Sequence, residues 1–449
     1  MQNKTTSPWA WIPTLYFAEG IPYFIVNVIS VTMYKKMGMG NADLAMLTSL
    51  LYLPWVIKPL WSPLVDVFRS KRWWILLMQA LVTVCFAALA LSIPAKTGAA
   101  VGPFVPSLII FYIVAMLSAT HDIAADGFYM IALDQHRQSL FVGIRSTFYR
   151  IASVFGQGII VVIAGLLETR IGNIPLAWRI TLGGCSLLFL LLTVWHGFAL
   201  PAVESQTDSE SAAGGGLLRK FFERAPRVAV AEQKASTRSV GAAIVSFFQK
   251  PDLLIALPFM LLFRLPEALS VKMLTPLLLD PVSEGGLGLS TAQSGLVYGT
   301  VGVIALTVGG ILGGIFAARF GLRRSLWIMA AALALPCAVY LYLAAVQPEQ
   351  IWIVYTCVAF DQFGYGFGFT AYMLYLIYFS EGDYKTSHYA ICTAFMALSM
   401  MLPGMVAGYL QEAMGYTGFF AVVMLCCLVT LAVTALLPRH IDPDYGKKV

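Results

Sequence analysis

Charge is scarce in this chain. Asp, Glu, Lys and Arg together supply 12% of its 449 residues, while 59% are hydrophobic and the mean hydropathy is +0.78. A soluble globular protein carries about 25% charged and about 45–50% apolar residues. That deficit excludes a water-soluble fold. It also strips the net charge of +6 of meaning as a nucleic-acid signal, because in a membrane protein the placement of Lys and Arg matters more than their sum. Catalytic signatures are missing too. No CxxC, HExxH, GxSxG or P-loop occurs, and the seven cysteines, Cys85, Cys185, Cys337, Cys357, Cys392, Cys426 and Cys427, all lie in apolar segments, where a free thiol packs as a small hydrophobe. No cleavable signal peptide is expected, since the first apolar run, from Trp9, is too long and leads straight into further runs.

What is present is long apolar runs. A helix needs about 20 apolar residues to span a bilayer. About twelve such spans are predicted, at 9–34, 42–62, 73–94, 104–131, 140–167, 176–199, 252–279, 290–317, 325–346, 350–379, 386–411 and 416–437. The expected fold is an all-α membrane protein in two six-helix halves, 1–200 and 251–449, joined by a hydrophilic linker at 201–250. The linker holds SQTDSESAAGGG, a flexible composition, then Arg219, Lys220, Arg224, Arg227, Lys234 and Arg238. With both termini in the cytoplasm, Lys and Arg concentrate in the cytoplasmic segments. The other side keeps only Lys35, Lys36, Lys96, Arg170 and Arg179, and the positive-inside rule then sets the orientation.

The few charges inside the spans are the candidate machinery, because an ionisable residue at membrane depth is costly and faces a cavity or a partner. Asp122 and Asp126, in MLSATHDIAADGFYMI (Met116 to Ile131), fall one helical turn apart and share a face, with His121 beside the first. Two acids so close in a low dielectric do not readily both ionise, so proton carriage is one reading. Structural pairing with Arg145 or Arg150 of the next span is the other. On that span Arg145 and Tyr149 share a face, and Arg150 is offset by about 100°. A guanidinium there can grip an anionic substrate bidentately. Glu19 sits beside helix-weakening Gly20 and Pro22. Arg264, Glu267 and Lys272 occupy the corresponding place in span 7 around Pro266, and Glu267 lies three residues from Arg264, so an intrahelical pair is the plainer expectation there. Asp361 precedes a glycine-rich face. Aromatics such as Tyr23 and Tyr365 can wall a sugar pocket, although most membrane aromatics are packing residues. The glycines of span 8, Gly302, Gly309, Gly310, Gly313 and Gly314, read as close helix packing.

The halves look weakly repeated. Gly38-Met-Gly-Asn-Ala-Asp-Leu leads into span 2 much as Gly288-Leu-Ser-Thr-Ala-Gln-Ser leads into span 8, each supplying N-cap residues. Both spans end in basic turns, Asp66-Val-Phe-Arg69-Ser-Lys71-Arg72 and Arg319-Phe-Gly321-Leu-Arg323-Arg324. The second, Gly314-x4-Arg319-x-Gly321-x-Arg323-Arg324, resembles the loop signature of the major facilitator superfamily, with Ala318 where that signature has Asp. More specific stretches resemble one branch of it, the AmpG-type permeases. These are Phe17-Ala-Glu-Gly-Ile-Pro22, Lys58-Pro-Leu-Trp61-Ser-Pro63-Leu-Val-Asp66, Ser118-Ala-Thr-His-Asp122-Ile-Ala-Ala-Asp126, Tyr149-Arg150, Gly364-Tyr-Gly366-Phe-Gly368 and Ser387-His-Tyr-Ala390 with Pro403-Gly-x3-Gly408. His121 stands where Gln is common in that branch.

The resemblance implies a carrier, not an enzyme, that imports anhydro-muropeptides together with protons for peptidoglycan recycling in the bacterial inner membrane. It implies a monomer embedded in lipid, with no cofactor, no bound metal and no nucleic-acid partner. Under it, Asp122, Asp126, Glu19, Glu267 and Asp361 become proton-coupling candidates. Arg145, Tyr149, Arg150, Arg264, His121, Tyr23 and Tyr365 become substrate candidates, and Lys58, Trp61, Asp66, Arg319 and Arg323 gating candidates. Other carriers keep the same fold with another amino-sugar conjugate, a peptide or an acyl-CoA as cargo. Two different classes remain as alternatives: an intramembrane enzyme holding a metal on His121, Asp122 and Asp126, and a signalling protein whose output is the linker.

Overall fold

The structure, a computed structural model, describes residues 7–133, 135–201, 237–382, 384–442 and 445. Residues 202–236 of the expected linker and the side chain of Asp66 lie outside the described residues. Among those described, the elements are helices and no strand occurs. Nine helices among the described residues are long and apolar enough to cross a membrane. The helix α1 is Pro8–Lys36, α3 Lys71–Ser92, α4 Gly102–Ala132, α6 Ile174–Ala199, α7 Leu253–Leu279, α8 Thr291–Phe320 and α9 Leu322–Val346. The helix α5 runs from Gln135–Val154 to Val161–Ile171. The ninth of these helices lies within Lys385–Leu436, which turns at Gly415, where φ is 69°, and so divides into α11 and α12.

Two more crossings escape a simple hydropathy criterion for physical reasons. The helix α10, Ile351–Phe379, spends part of its length on Gly and Tyr around Asp361 and Gln362. The helix α2 starts as Asn41–Leu50 and continues through Leu53–Ile57 and Ser62–Val67, broken by Pro54, Pro59 and Pro63, since proline removes a backbone donor and clashes with the preceding turn. Among the described residues twelve crossings result. Large apolar side chains such as Leu91, Leu254 and Leu425 are strongly exposed on the outside of this bundle, as a lipid-facing surface requires.

The cores divide between the halves. Two clusters, one around Phe86, Phe111 and Trp178 and one around Trp11, Tyr16 and Phe128, use only residues before Pro201. Another, around Phe259, Tyr372 and Tyr375, uses only residues after Ala242. A small patch of Tyr52, Ala268, Met400 and Met401 bridges the two. Helices approach closely where glycine leaves room. A methyl group on Gly309 would stand 2.1 Å from the Phe363 carbonyl oxygen, and one on Gly366 would stand 2.0 Å from that of Leu306. The span 8 glycines at 309 and 313 therefore pack α8 on α10, whereas Gly314 faces open space. Gly366→Ala is expected to lower stability by about 1–3 kcal/mol through overpacking. A thermal melt of the detergent-purified variant that matches wild type would contradict this.

Among the described residues three π-helical segments interrupt the bundle, Ile25–Ile29 in α1, Phe155–Ile160 in α5 and Gly295–Gly302 in α8. Such bulges reorient side chains and recur at functional sites. The second and third pack against each other across the halves, where a methyl group on Gly299 would lie 1.9 Å from the Gln157 carbonyl oxygen.

Candidate functional site

Three carboxylates from two helices converge inside the first half. Glu19 comes from α1, and Asp122 and Asp126 from successive turns of α4; their oxygens lie within 4.8 Å of one another. Glu19 reaches them because Gly20 lets α1 press on α5; a methyl group there would meet the Ala152 β-carbon at 2.7 Å. Lys58 arrives from the proline-broken end of α2, in the 3-10 turn Lys58–Leu60, and ion-pairs with Asp122. Arg145 of α5 ion-pairs with Asp126 at 2.8 Å and lies over the rings of Tyr16 (4.5 Å) and Tyr129 (5.2 Å). The Tyr16 hydroxyl donates to Asp126 at 3.2 Å. Glu19 and Asp122 bring carboxylate oxygens within 4.8 Å of each other with no cation shared between them, a spacing that a proton on one of the two relieves. The second oxygen of Glu19 is buried without a partner.

The arithmetic of this cluster matters. Three carboxylates face two cations, so the fully ionised site carries one negative charge too many and a single proton neutralises it. The same oxygens resemble a metal-ligand set, but Lys58 and Arg145 already engage two of the three acids. The alternative metal set also fails on His121. Its imidazole turns away from the cluster and accepts from the Gln79 amide at 2.9 Å. Gln79 Oε1 in turn pairs with His196 Nδ1 at 2.9 Å, and His196 Nε2 with the Thr14 hydroxyl at 3.0 Å. His121 is thereby committed to a buried chain linking α1, α3, α4 and α6, and this geometry gives no support to its expected contact with substrate.

The other expected residues separate. Tyr149 packs beside Gly20 and the Phe24 ring, and Tyr23 against Trp55. Arg150 is half-buried at the junction of the halves, with a guanidinium nitrogen 3.4 Å from where a Gly310 β-carbon would sit, and no acid among the described residues lies within ion-pair distance. Arg264 sits at the break in α7 and grips Glu267 with two bonds, 2.9 and 3.2 Å, while donating to the Tyr365 hydroxyl at 3.0 Å. Its charge is thus answered within its own helix, as the i,i+3 spacing suggested. Asp361 accepts from Tyr340 (2.6 Å) and Gln362 (3.1 Å) in the second half, apart from the three-carboxylate cluster.

Of the gating candidates, Lys58 belongs to the carboxylate cluster, and the Trp61 indole donates to Thr120 at 3.2 Å. Arg319 is exposed over the Phe320 ring, and neither it nor Arg323 forms an ion pair among the described residues.

A cluster of polar contacts between the halves lies at the opposite helix ends, away from Leu200 and Lys250, and sequence reading did not single it out. Asp280, at the end of α7, accepts from Lys35 (2.5 Å), the Tyr416 hydroxyl (2.5 Å) and the Asn41 amide (3.3 Å). Asn41 also donates to Gln411 at 2.7 Å, so it bridges the halves instead of capping its own helix. Glu412 does the capping from across the interface, accepting the Ala42 N–H at 2.8 Å. Nearby, Thr291 donates to Glu168 at 2.6 Å. In the second half the expected cap is real: Ser290 and Gln293 form a capping box on α8. The only sequence hint of this far-side cluster was two lone charges, Lys35 and Asp280, at span ends.

Comparison with known proteins follows the geometry. Residues 14–377 match the family model described as Major Facilitator Superfamily. The chain is 24% identical over 445 residues to the anhydromuropeptide permease of Escherichia coli (strain K12), covering 95% of this chain and 81% of that one. It is 24% identical over 448 residues to the putative transporter AmpG 4 of Rickettsia conorii, covering 95% and 96%. Among solved structures, it superposes on the nucleoside transporter NupG with a TM-score of 0.67 at 14% identity, over 95% and 98% of the two chains. The D-xylose–proton symporter gives 0.67 at 11% identity, over 98% of each. The chain is therefore a multi-pass membrane transporter, not an enzyme, and belongs to the Major Facilitator Superfamily.

Proposed function

We propose that this transporter imports anhydro-muropeptides (N-acetylglucosaminyl-1,6-anhydro-N-acetylmuramic acid, with or without peptide) together with protons, for cell-wall recycling. The observation that carries the proton half is the imbalance of three converging carboxylates against two cations. Glu19, the acid without an ion pair, is the proton's place, and its exchange changes what Asp122 and Lys58 must hold. Similarity to an anhydromuropeptide permease along 95% of the chain supports the cargo. The guanidinium of Arg150, which has no acid within ion-pair distance among the described residues, and Tyr149, Tyr23 and Tyr365 around the junction of the halves suit the hydroxyl and amide oxygens and the ring faces of a sugar. We place the protein in the bacterial inner membrane as a monomer with cytoplasmic termini, its halves at 1–200 and 251–449. With that orientation the polar contacts of Asp280 with Lys35 and Asn41 lie at the outward-facing end.

The test is uptake of radiolabelled disaccharide by proteoliposomes under an imposed inward proton gradient. Wild type is expected to accumulate it only with the gradient. Glu19→Gln is expected to retain exchange of internal for external disaccharide while losing gradient-driven accumulation. Accumulation that ignores the gradient, or no uptake by folded wild type, would overturn the proposal.

A further inference from the structure

One buried cation of the second half has no acid to answer it. Lys272 of α7 is only 5% exposed. Its ammonium donates to the Thr48 hydroxyl of α2 at 2.9 Å and stands 5.5 Å from the centre of the Tyr52 ring. Thr48 spends its own proton on the Leu44 carbonyl, so it can only accept. Among the described residues no carboxylate comes within ion-pair distance of Lys272, and no second acceptor takes its other N–H groups. An ammonium taken from water without a counter-charge is strongly disfavoured. Yet the fold keeps room for it. At Gly404 of α11 a methyl group would meet the Ser49 hydroxyl at 2.5 Å and the Lys272 stem at 3.2 Å.

The same place is a cavity between the halves, lined by Lys272, Thr275, Asn27, Tyr52, Tyr298 and Met400. A second group there is also unanswered. Asn27 lies in the π-helical segment of α1, 5% exposed; its amide N–H donates to the Tyr23 carbonyl at 3.1 Å, and its side-chain oxygen is buried with no donor. The hydroxyls of Ser49 on α2 and Ser270, two residues before Lys272 on α7, are likewise buried without partners among the described residues. The cavity thus presents one strong donor, one vacant acceptor and two aromatic walls.

We propose that Lys272 and Asn27 form a substrate anchor just inside the end at which Asp280 meets Lys35 and Asn41. Lys272 binds a carboxylate, and the Asn27 carbonyl accepts from an amide N–H or hydroxyl on the same molecule. An amino-sugar acid carries both groups next to a ring that can lie against Tyr52 and Tyr298. A lone ammonium with no guanidinium or helix N-terminus beside it suits a monoanionic carboxylate better than a phosphate. This assignment rests on the muropeptide reading and names the site for its acid group.

The test is binding to the full chain in lipid nanodiscs by calorimetry. The probes are N-acetylglucosaminyl-1,6-anhydro-N-acetylmuramic acid and the same disaccharide with its lactyl carboxyl group amidated. Wild type is expected to prefer the acid by roughly tenfold or more, the scale of one charge-assisted hydrogen bond. Lys272→Met is expected to erase that preference while still binding the amide, and Lys272→Arg to retain part of it. Equal binding of acid and amide by wild type, or a preserved preference in Lys272→Met, would overturn the anchor and leave the muropeptide reading in place. Failure of wild type to bind either disaccharide would instead overturn the muropeptide reading, and the anchor with it.

Discussion

Asp122→Asn is expected to abolish disaccharide uptake, with or without a proton gradient. The substitution removes the ion-pair partner of Lys58 and the carboxylate that crowds Glu19 in one step. The cluster then holds two carboxylates against two cations, so it has no excess charge for a proton to neutralise and no reason to load one. The stability cost is smaller than the functional one. Deleting one member of a fully buried pair costs about 3–5 kcal/mol. Lys58 and Asp122 side chains are 24% and 21% exposed, so water screens part of that, and about 2 kcal/mol is the expected penalty. Lys58→Met combined with Asp122→Asn should recover most of the lost melting temperature, because the Lys58 ammonium no longer stands without its partner; one carboxylate is again in excess, but uptake should stay absent because the ion pair that the proton on Glu19 acts on is gone. Proton-driven uptake in the Asp122→Asn single variant would remove the cluster from the coupling mechanism and direct attention to Glu267 and Asp361 in the second half.

Asp280→Ala should release the end at which this residue joins the two halves. That carboxylate accepts three hydrogen bonds, two of them from the other half, and one donor is the Lys35 ammonium. Bonds to charged groups contribute about 1.5–3 kcal/mol each. Losing even the Lys35 and Asn41 contacts shifts the equilibrium by about 3 kcal/mol, roughly a hundredfold in the ratio of closed to open ends. Spin labels at Thr97 and Val346, on opposite halves at that end, should report a longer distance in Asp280→Ala than in wild type. Glu412→Ala, which uncaps Asn41–Leu50, should move it the same way but less, since one cap contributes about 1 kcal/mol. An unchanged distance distribution in Asp280→Ala would mean that glycine packing at Gly158, Gly299 and Gly408, not this polar lock, holds the end shut.

The amino-acid sequence by itself determined the solvent, the helical class and the identity of the costly residues. Scarcity of charge left only a bilayer as the environment, and the runs of about 20 apolar residues left only helices. Asp122 and Asp126 were legible because helical periodicity puts residues four apart on one face, a property that does not depend on where the helix goes. The pairing of Arg264 with Glu267 was legible for the same reason. Tertiary structure decided everything that depends on contacts between helices. It brought Glu19 and Lys58 to the two aspartates from more than sixty positions away in one case and over a hundred in the other, through a glycine contact and a proline-broken helix. It turned His121 toward Gln79, although adjacency to Asp122 had placed it with the acids. Among the described residues it left Arg150 and Lys272 without an acid in ion-pair distance, and it made Asn41 a cross-half bridge where local spacing suggested a cap. Local periodicity encodes which side chains share a face of one helix; which faces meet is set by the packing of all twelve, and no spacing within a single helix carries that information.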